Sequence, residues 1–272
     1  MSGLQDSADL AHFIGVEDRA ASSPVIVHVP HASRTIPVRY ASSFTVPRSD
    51  LEAELDRMTD TGTDVLADAM EGASRVQHGL SRLVVDVERF AGDEEEMNAV
   101  GMGVLYTHGS LRQELRRPTT ADRRDLLGYH RAYGAAFGDL VDRVLVAHGA
   151  AVIVDLHSFP AVGSPYELHA SDQRPELCIG ADRFHTSEHL VDAVRTAFGG
   201  FEAVVNEPFR GTYVPTRQYG VDTRVQSVML EIRRDLYLDA ALELRGPGLQ
   251  RITAALRALG DALDTRFAHP AS

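Results

Sequence analysis

Ala150-Ala151-Val152-Ile153-Val154-Asp155-Leu156-His157 is the stretch on which the fold turns. Its first seven residues are almost wholly apolar, as expected of a strand covered on both faces in a parallel or mixed sheet. Just upstream, Asp122 to His148 repeats Leu126, Tyr133, Phe137, Leu140, Val141 and Val144 at helical steps, with His148-Gly149 as its stop. Further back, Pro24-Val25-Ile26-Val27-His28-Val29-Pro30 is a β-branched run closed by proline, and His31 follows it. Downstream, Ser187 to Phe198 reads as helix and Ser227 to Ile232 as a strand containing Glu231. Asp239 to Phe267 reads as a terminal helix interrupted near Gly246-Pro247-Gly248. Arg48 to Met70 is helical in two pieces, broken at Thr61-Gly62-Thr63. Ser81 to Val87 reads as a further strand, followed by a solvated acidic loop from Ala91 to Glu96.

Strands alternating with helices imply a layered α/β fold. There is no internal repeat and no Pro-, Gly- or Ser-rich linker, so residues 1–272 are expected to form one domain. Ligands of such folds gather beyond the carboxyl ends of the strands, where His31, His157 and Glu231 are all expected.

Composition narrows the function classes. With 44% hydrophobic and 24% charged residues the chain is globular, and a net charge of -12 opposes nucleic-acid phosphates. Cys178 is the only cysteine, so no intrachain disulfide forms and a cytoplasmic location is expected. Met1 to His12 contains Asp6 and Asp9 and no apolar run, so neither a signal peptide nor a membrane anchor is expected. All 27 basic residues are arginine, which fits genomic base bias and implies no mechanism.

Catalytic zinc takes three nitrogen or oxygen ligands and keeps a fourth position for water. His31 and His157 suit the nitrogen positions, although each, like His28, could equally be a hydrogen-bonded core histidine. Among Asp56, Asp60 and Asp64, Asp60 is favoured because it heads the Thr-Gly break, while the other two fit an exposed helix face. No HExxH helix is present. Glu231 lies inside an apolar strand, where a carboxylate needs a function or a cation, with Arg82, Arg233 and Arg234 as possible partners. Burial would raise its pKa toward that of a general base. Arginines bind carboxylates through paired hydrogen bonds, so Arg82, Arg89, Arg210 and Arg217 are candidates for holding an acidic substrate. The loop from Pro208 to Gly220 mixes arginine, aromatic and glycine residues in a way that suits binding.

Five ordered blocks carry a family resemblance: Val29-Pro30-His31-Ala32-Ser33, Thr59-Asp60-Thr61-Gly62, Ser81 to Arg89, Asp155-Leu156-His157-Ser158 and Leu230-Glu231-Ile232. Together they resemble the N-formylglutamate amidohydrolases from about Val25 to Leu238. The resemblance implies a three-layer phosphorylase/hydrolase-like α/β fold, related to zinc carboxypeptidases, with a mixed, largely parallel sheet flanked by helices. It implies one zinc or other divalent ion on His31, Asp60 and His157, with Glu231 and Arg82 as catalytic residues. Substrate binding is carried to Arg89 and, around the arginine-rich loop, to Arg210, Tyr213, Arg217 and Tyr219. Two departures stand out: Glu88 occupies a position where the family commonly has Asn, and Gly103 to Gly109, with His108, only loosely matches the family pattern.

The expected activity is therefore hydrolysis of an N-acyl amide, N-formyl-L-glutamate first, by a small monomeric or homo-oligomeric enzyme acting on a small acidic amide. Another N-acyl amino acid, a cyclic imide or a peptidoglycan-like amide is the alternative that Glu88 motivates. A non-catalytic metabolite-binding protein is the rival from another class. Ser33 and Ser158 lie beside the two histidines, but no Gly-x-Ser-x-Gly elbow supports a serine hydrolase. Cys178 reads as core.

Overall fold

The computed structural model describes residues 10–168 and 174–268, so most of the Met1 to His12 segment read above lies outside them. Its centre is a seven-stranded mixed sheet. In chain order the strands are β1 (Ile14–Glu17), β2 (Val25–Val29), β3 (Ser74–His78), β4 (Ala151–Phe159), β5 (Leu177–Gly180), β6 (Ala203–Val205) and β7 (Val225–Arg233). Across the sheet they run β1-β3-β2-β4-β7-β5-β6. The four central strands are parallel, while β1 joins β3 and β5 joins β7 in antiparallel fashion. Helices α1 (Arg48–Met58), α2 (Thr63–Ala67), α3 (Thr120–His148), α4 (Glu188–Ala197) and α5 (Gly246–Phe267) complete the layers.

Alternation along the strands explains the three layers, since successive side chains point to opposite faces. Val25, Val27 and Val29 of β2, with Val152, Val154 and Leu156 of β4, pack on one side against α2, α4 and α5. Ile26, Val76 and Ile153 face the other side and are covered by α3 through Tyr133, Phe137, Leu140 and Val144. A capping box between Thr119 and Asp122 starts α3, and Gly149, with φ of 75°, ends it in the left-handed conformation.

Two expected elements differ. Ser81 to Val87 is not a strand but a tight turn followed by irregular chain. The Ser81 hydroxyl and carbonyl accept the amides of Leu83, Val84 and Val85, while the buried Arg116 guanidinium takes the carbonyls of Leu83 and Val84. The apolar side chains are buried as foreseen, but their backbone is satisfied without a ladder, and β3 occupies the place beside β2. The terminal helix starts only at Gly246, because Asp239 accepts the amides of Ala241 and Glu243 and closes a turn ahead of it. The expected break at Thr61-Gly62-Thr63 is present, with Gly62 at φ of 82° separating α1 from α2.

Candidate metal and catalytic centre

His31 follows β2, His157 lies near the end of β4, and Asp60 sits at the α1–α2 break. Gly62 turns the chain there, the Asp60 amide donates to the His31 carbonyl at 2.9 Å, and Arg234 donates to Asp60 Oδ1 at 2.9 Å. Arg234, weighed above as a partner for Glu231, thus fixes Asp60 instead. It also reaches the Arg57 carbonyl and both oxygens of Ser158.

Three atoms converge. His31 Nδ1 and His157 Nδ1 are 3.3 Å apart, and Asp60 Oδ2 stands 3.6 and 3.2 Å from them. Ligand atoms about 2.0–2.1 Å from a tetrahedral zinc lie about 3.3 Å apart, so this buried triangle has the dimensions of one face of such a site. Asp56, by contrast, pairs with Arg34 on the surface.

The far sides of the rings supply a second test. His31 Nε2 faces Asp86 Oδ1 at 3.0 Å, and His157 Nε2 faces Asp155 Oδ1 at 3.0 Å. An N–H donated to each carboxylate leaves both Nδ1 lone pairs directed at the shared point, the usual way that a second carboxylate orients a ligating histidine. Asp86 is in turn held by Arg82 at 2.8 Å and Tyr106 at 2.9 Å. Asp155 also takes His28 Nδ1 and the Tyr213 amide, both at 2.9 Å. Burial opposes charge on these carboxylates, yet Asp86 is kept well below the usual range by Arg82, His31 and Arg89, and Asp155 by His157 and His28. The residues present therefore fit a divalent cation, and the nitrogen-rich donor set suits zinc.

Parallel pairing of β4 with β7 sets His157 directly beside Glu231. Glu231 Oε2 is buried and has no hydrogen-bond partner. This carboxyl is raised to about 7, chiefly by burial and further by Asp60, against the pull of His157, Arg82 and Arg234. Cys178 lies opposite Glu231 on β5, with its thiol pushed up to about 12 by burial, which suits a core residue. The Ser33 hydroxyl donates to the Gly79 carbonyl and the Ser158 hydroxyl accepts from Arg234, so neither is directed at a histidine.

The other expected site residues divide into two groups. Arg82, Arg89 and Arg210 line the cavity of about 170 Å³ that also contains His31, Asp60, His157 and Glu231. Tyr213 and Arg217 do not. Tyr213 packs on His28 and Phe137, and Arg217 is drawn to Asp139 and Asp142 of α3 at 3.0 and 2.9 Å. Both border a neighbouring cavity of about 700 Å³, along with Tyr219. His108 binds Thr107 and borders neither. Asp86, Asp155 and Arg234 were not assigned positioning roles from sequence. For Asp155 a signal existed, since it precedes His157 by two residues on the same strand face.

Two ring nitrogens and a carboxylate oxygen converge at the carboxyl edge of parallel strands, with a buried glutamate one strand away, an arrangement of the class that could hold a metal ion beside a proton-carrying group. The comparisons narrow that class. A family model for N-formylglutamate amidohydrolase matches residues 23–238, and the chain belongs to this family of amide-hydrolysing enzymes. It is 25% identical over 256 residues to an N-formylglutamate deformylase of Pseudomonas aeruginosa, covering 88% of this chain and 92% of that one. Among solved structures, an N-formylglutamate amidohydrolase from Ralstonia eutropha superposes with a TM-score of 0.76 at 21% identity, over 93% of this chain and 98% of that one. Gene product Atu2144 from Agrobacterium tumefaciens superposes at 0.68 and 21% identity, over 93% and 95% of the two chains. These two structures establish that the fold is shared. Among the described residues no helix is long and apolar enough to cross a membrane.

Proposed function

We propose that this amidohydrolase cleaves N-formyl-L-glutamate to formate and L-glutamate, using one divalent cation, zinc by donor set, held by His31, Asp60 and His157. The observation that carries the reading is the buried Nδ1, Nδ1, Oδ2 triangle with the unpartnered Glu231 carboxyl beside it. When bound, the cation would polarise the acyl carbonyl and lower the pKa of a water at the open position. Glu231 accepts a proton from the attacking water at its free oxygen as the water oxygen bonds to the acyl carbon. It then returns that proton to the amide nitrogen as the C–N bond breaks, and a carboxyl titrating near neutrality is suited to both steps. Arg82, oriented by Asp86 and Tyr106, donates to the oxygen on which negative charge develops, and Arg89 with Arg210 holds the substrate carboxylate.

Glu88 favours a second reading, in which the same chemistry acts on a different N-acyl amide. Its carboxylate adds negative charge to the cavity wall where the glutamate product would otherwise be welcomed. The wider reading is a one-domain, cytoplasmic enzyme, monomeric or a small homo-oligomer, acting on a small-molecule amide.

Turnover of N-formylglutamate by zinc-loaded protein tests the proposal. Glu231→Gln should lower kcat by roughly 10²–10⁴-fold, the range expected for losing a general base. Unchanged turnover in the variant would remove Glu231 from the mechanism.

A further inference from the structure

We propose that the physiological substrate carries a second, aromatic or apolar arm that occupies the neighbouring cavity, so that the amide hydrolysed is peptide-like and larger than a formyl amino acid. This rests on the amide-hydrolase reading in its second form, in which formylglutamate is turned over but a different N-acyl amide is preferred, and names the substrate class for the same site. The cavity around the metal ligands measures about 170 Å³. The adjoining one measures about 700 Å³. Pockets that enclose drug-sized ligands run about 300–1,000 Å³, so the first cavity is sized for an acyl-amide core and the second for a substantial further group. They share Glu88, Arg89, Arg210 and Met229 as common wall, which makes them two rooms of one site.

The wall chemistry points the same way. At the rim of the larger cavity Phe90 and Tyr219 are 45% and 39% exposed and meet edge to face at 5.9 Å, leaving aromatic surface available to a ligand. Arg210, on the shared wall, has no ion-pair partner among the described residues, so its guanidinium is available to a carboxylate. Glu88 approaches three imidazole nitrogens at 3.3 to 3.6 Å. Each of those nitrogens has a closer carboxylate, Asp86 or Asp155, at 2.9 to 3.0 Å. The Glu88 carboxylate is therefore the nearest partner of none of the three rings, and it stands on the partition as an acceptor. A chain passing it would be favoured by an N–H donor there and disfavoured by a carboxylate. A peptide-like amide with an N–H at Glu88, a carboxylate at Arg210 and an aromatic arm against Phe90 and Tyr219 meets all of these conditions.

The test uses zinc-reconstituted full-length protein and three amides: N-formyl-L-glutamate, N-formyl-L-glutamyl-L-phenylalanine and N-phenylacetyl-L-glutamate. At least one extended amide should exceed formylglutamate in kcat/KM by about tenfold or more. Gly134 and Ala135 of α3 border only the larger cavity, and a Cβ at Gly134 meets nothing but the Tyr213 hydroxyl, at 3.8 Å. Gly134→Leu, or Ala135→Trp should the first fold poorly, should abolish that advantage and leave formylglutamate turnover within about twofold. Preference for formylglutamate over both extended amides overturns the proposal, as does an advantage that survives the filled cavity. If none of the three is hydrolysed, calorimetry separates the two ideas. Tighter binding of an extended amide that Ala135→Trp weakens keeps the arm cavity and rejects the hydrolase reading, whereas equal binding of all three rejects the arm.

Discussion

Glu231 sits between Leu230 and Ile232 in a buried strand, and its unpartnered oxygen makes the charged form costly until another group needs it. A base must be deprotonated to act, so kcat/KM should rise as pH increases through the Glu231 transition and level off above it. Burial, with Asp60 adding to it and His157, Arg82 and Arg234 opposing it, raises that transition to about 7, and a bound cation would favour the carboxylate, so the ascending limb should lie at or below about pH 7. A pH–rate profile from pH 5 to 9 checks this, and the limb should vanish from the residual activity of Glu231→Gln. At this scale the sequence was most legible where chemistry and position coincide. His31, His157 and Glu231 follow or interrupt apolar runs and Asp60 heads the Thr-Gly break, and an ionisable group in such a place stands out. Asp86 and Arg234 escaped assignment because their roles depend on which ring nitrogen or carboxylate oxygen they face, and orientation leaves no periodic trace; for Asp155 the two-residue step to His157 was the one available sign.

The segment from Ser81 to Arg89 is the element where pattern and structure part. Its apolar run is genuine, and Leu83, Val84, Val85 and Val87 are buried. Burial pattern reports which side chains avoid water; it is silent on where backbone carbonyls find donors, and here Arg116 supplies them. Because Asp86 and Arg82 belong to this segment, Arg116 supports the proposed metal site from behind. Arg116→Met should cost on the order of 2–4 kcal/mol, since it strands buried carbonyls of Leu83 and Val84 without donors. Denaturant unfolding measures that cost. Metal titration of the folded variant should also show weaker binding, because Asp86 would be less firmly held; undiminished affinity would show that the segment keeps its shape unaided. The long helix α3 and strands β2, β4 and β7 were legible because each is long or flanked by a clear stop. Strands β1, β3, β5 and β6 span only 3 to 5 residues, too few for a period to register.

For the molecule as a whole, the three ligand groups come from the ends of β2 and β4 and from the α1–α2 break, so one cation would tie distant parts of the chain together. Anything that binds only the folded state stabilises it by mass action, about 2.7 kcal/mol at a hundredfold excess over Kd. For a chain of this size that corresponds to a Tm higher by roughly 5–10 °C. Chelation should therefore lower Tm by about that amount and abolish turnover, and added zinc should restore both. A chelated protein with the same Tm and full activity would sink the metal reading. The four parallel strands at the centre have a further consequence. In β4 and β7 His157 and Glu231, the proposed ligand and the proposed proton carrier, are rungs of the same ladder, so their separation is fixed by the ladder's phase and not by any loop. Adding or deleting one residue early in β7 would turn Glu231 toward the α5 side and present Leu230 or Ile232 in its stead. Natural length variation in this lineage should therefore be confined to the connections, with the two strands inherited as a unit of invariant spacing.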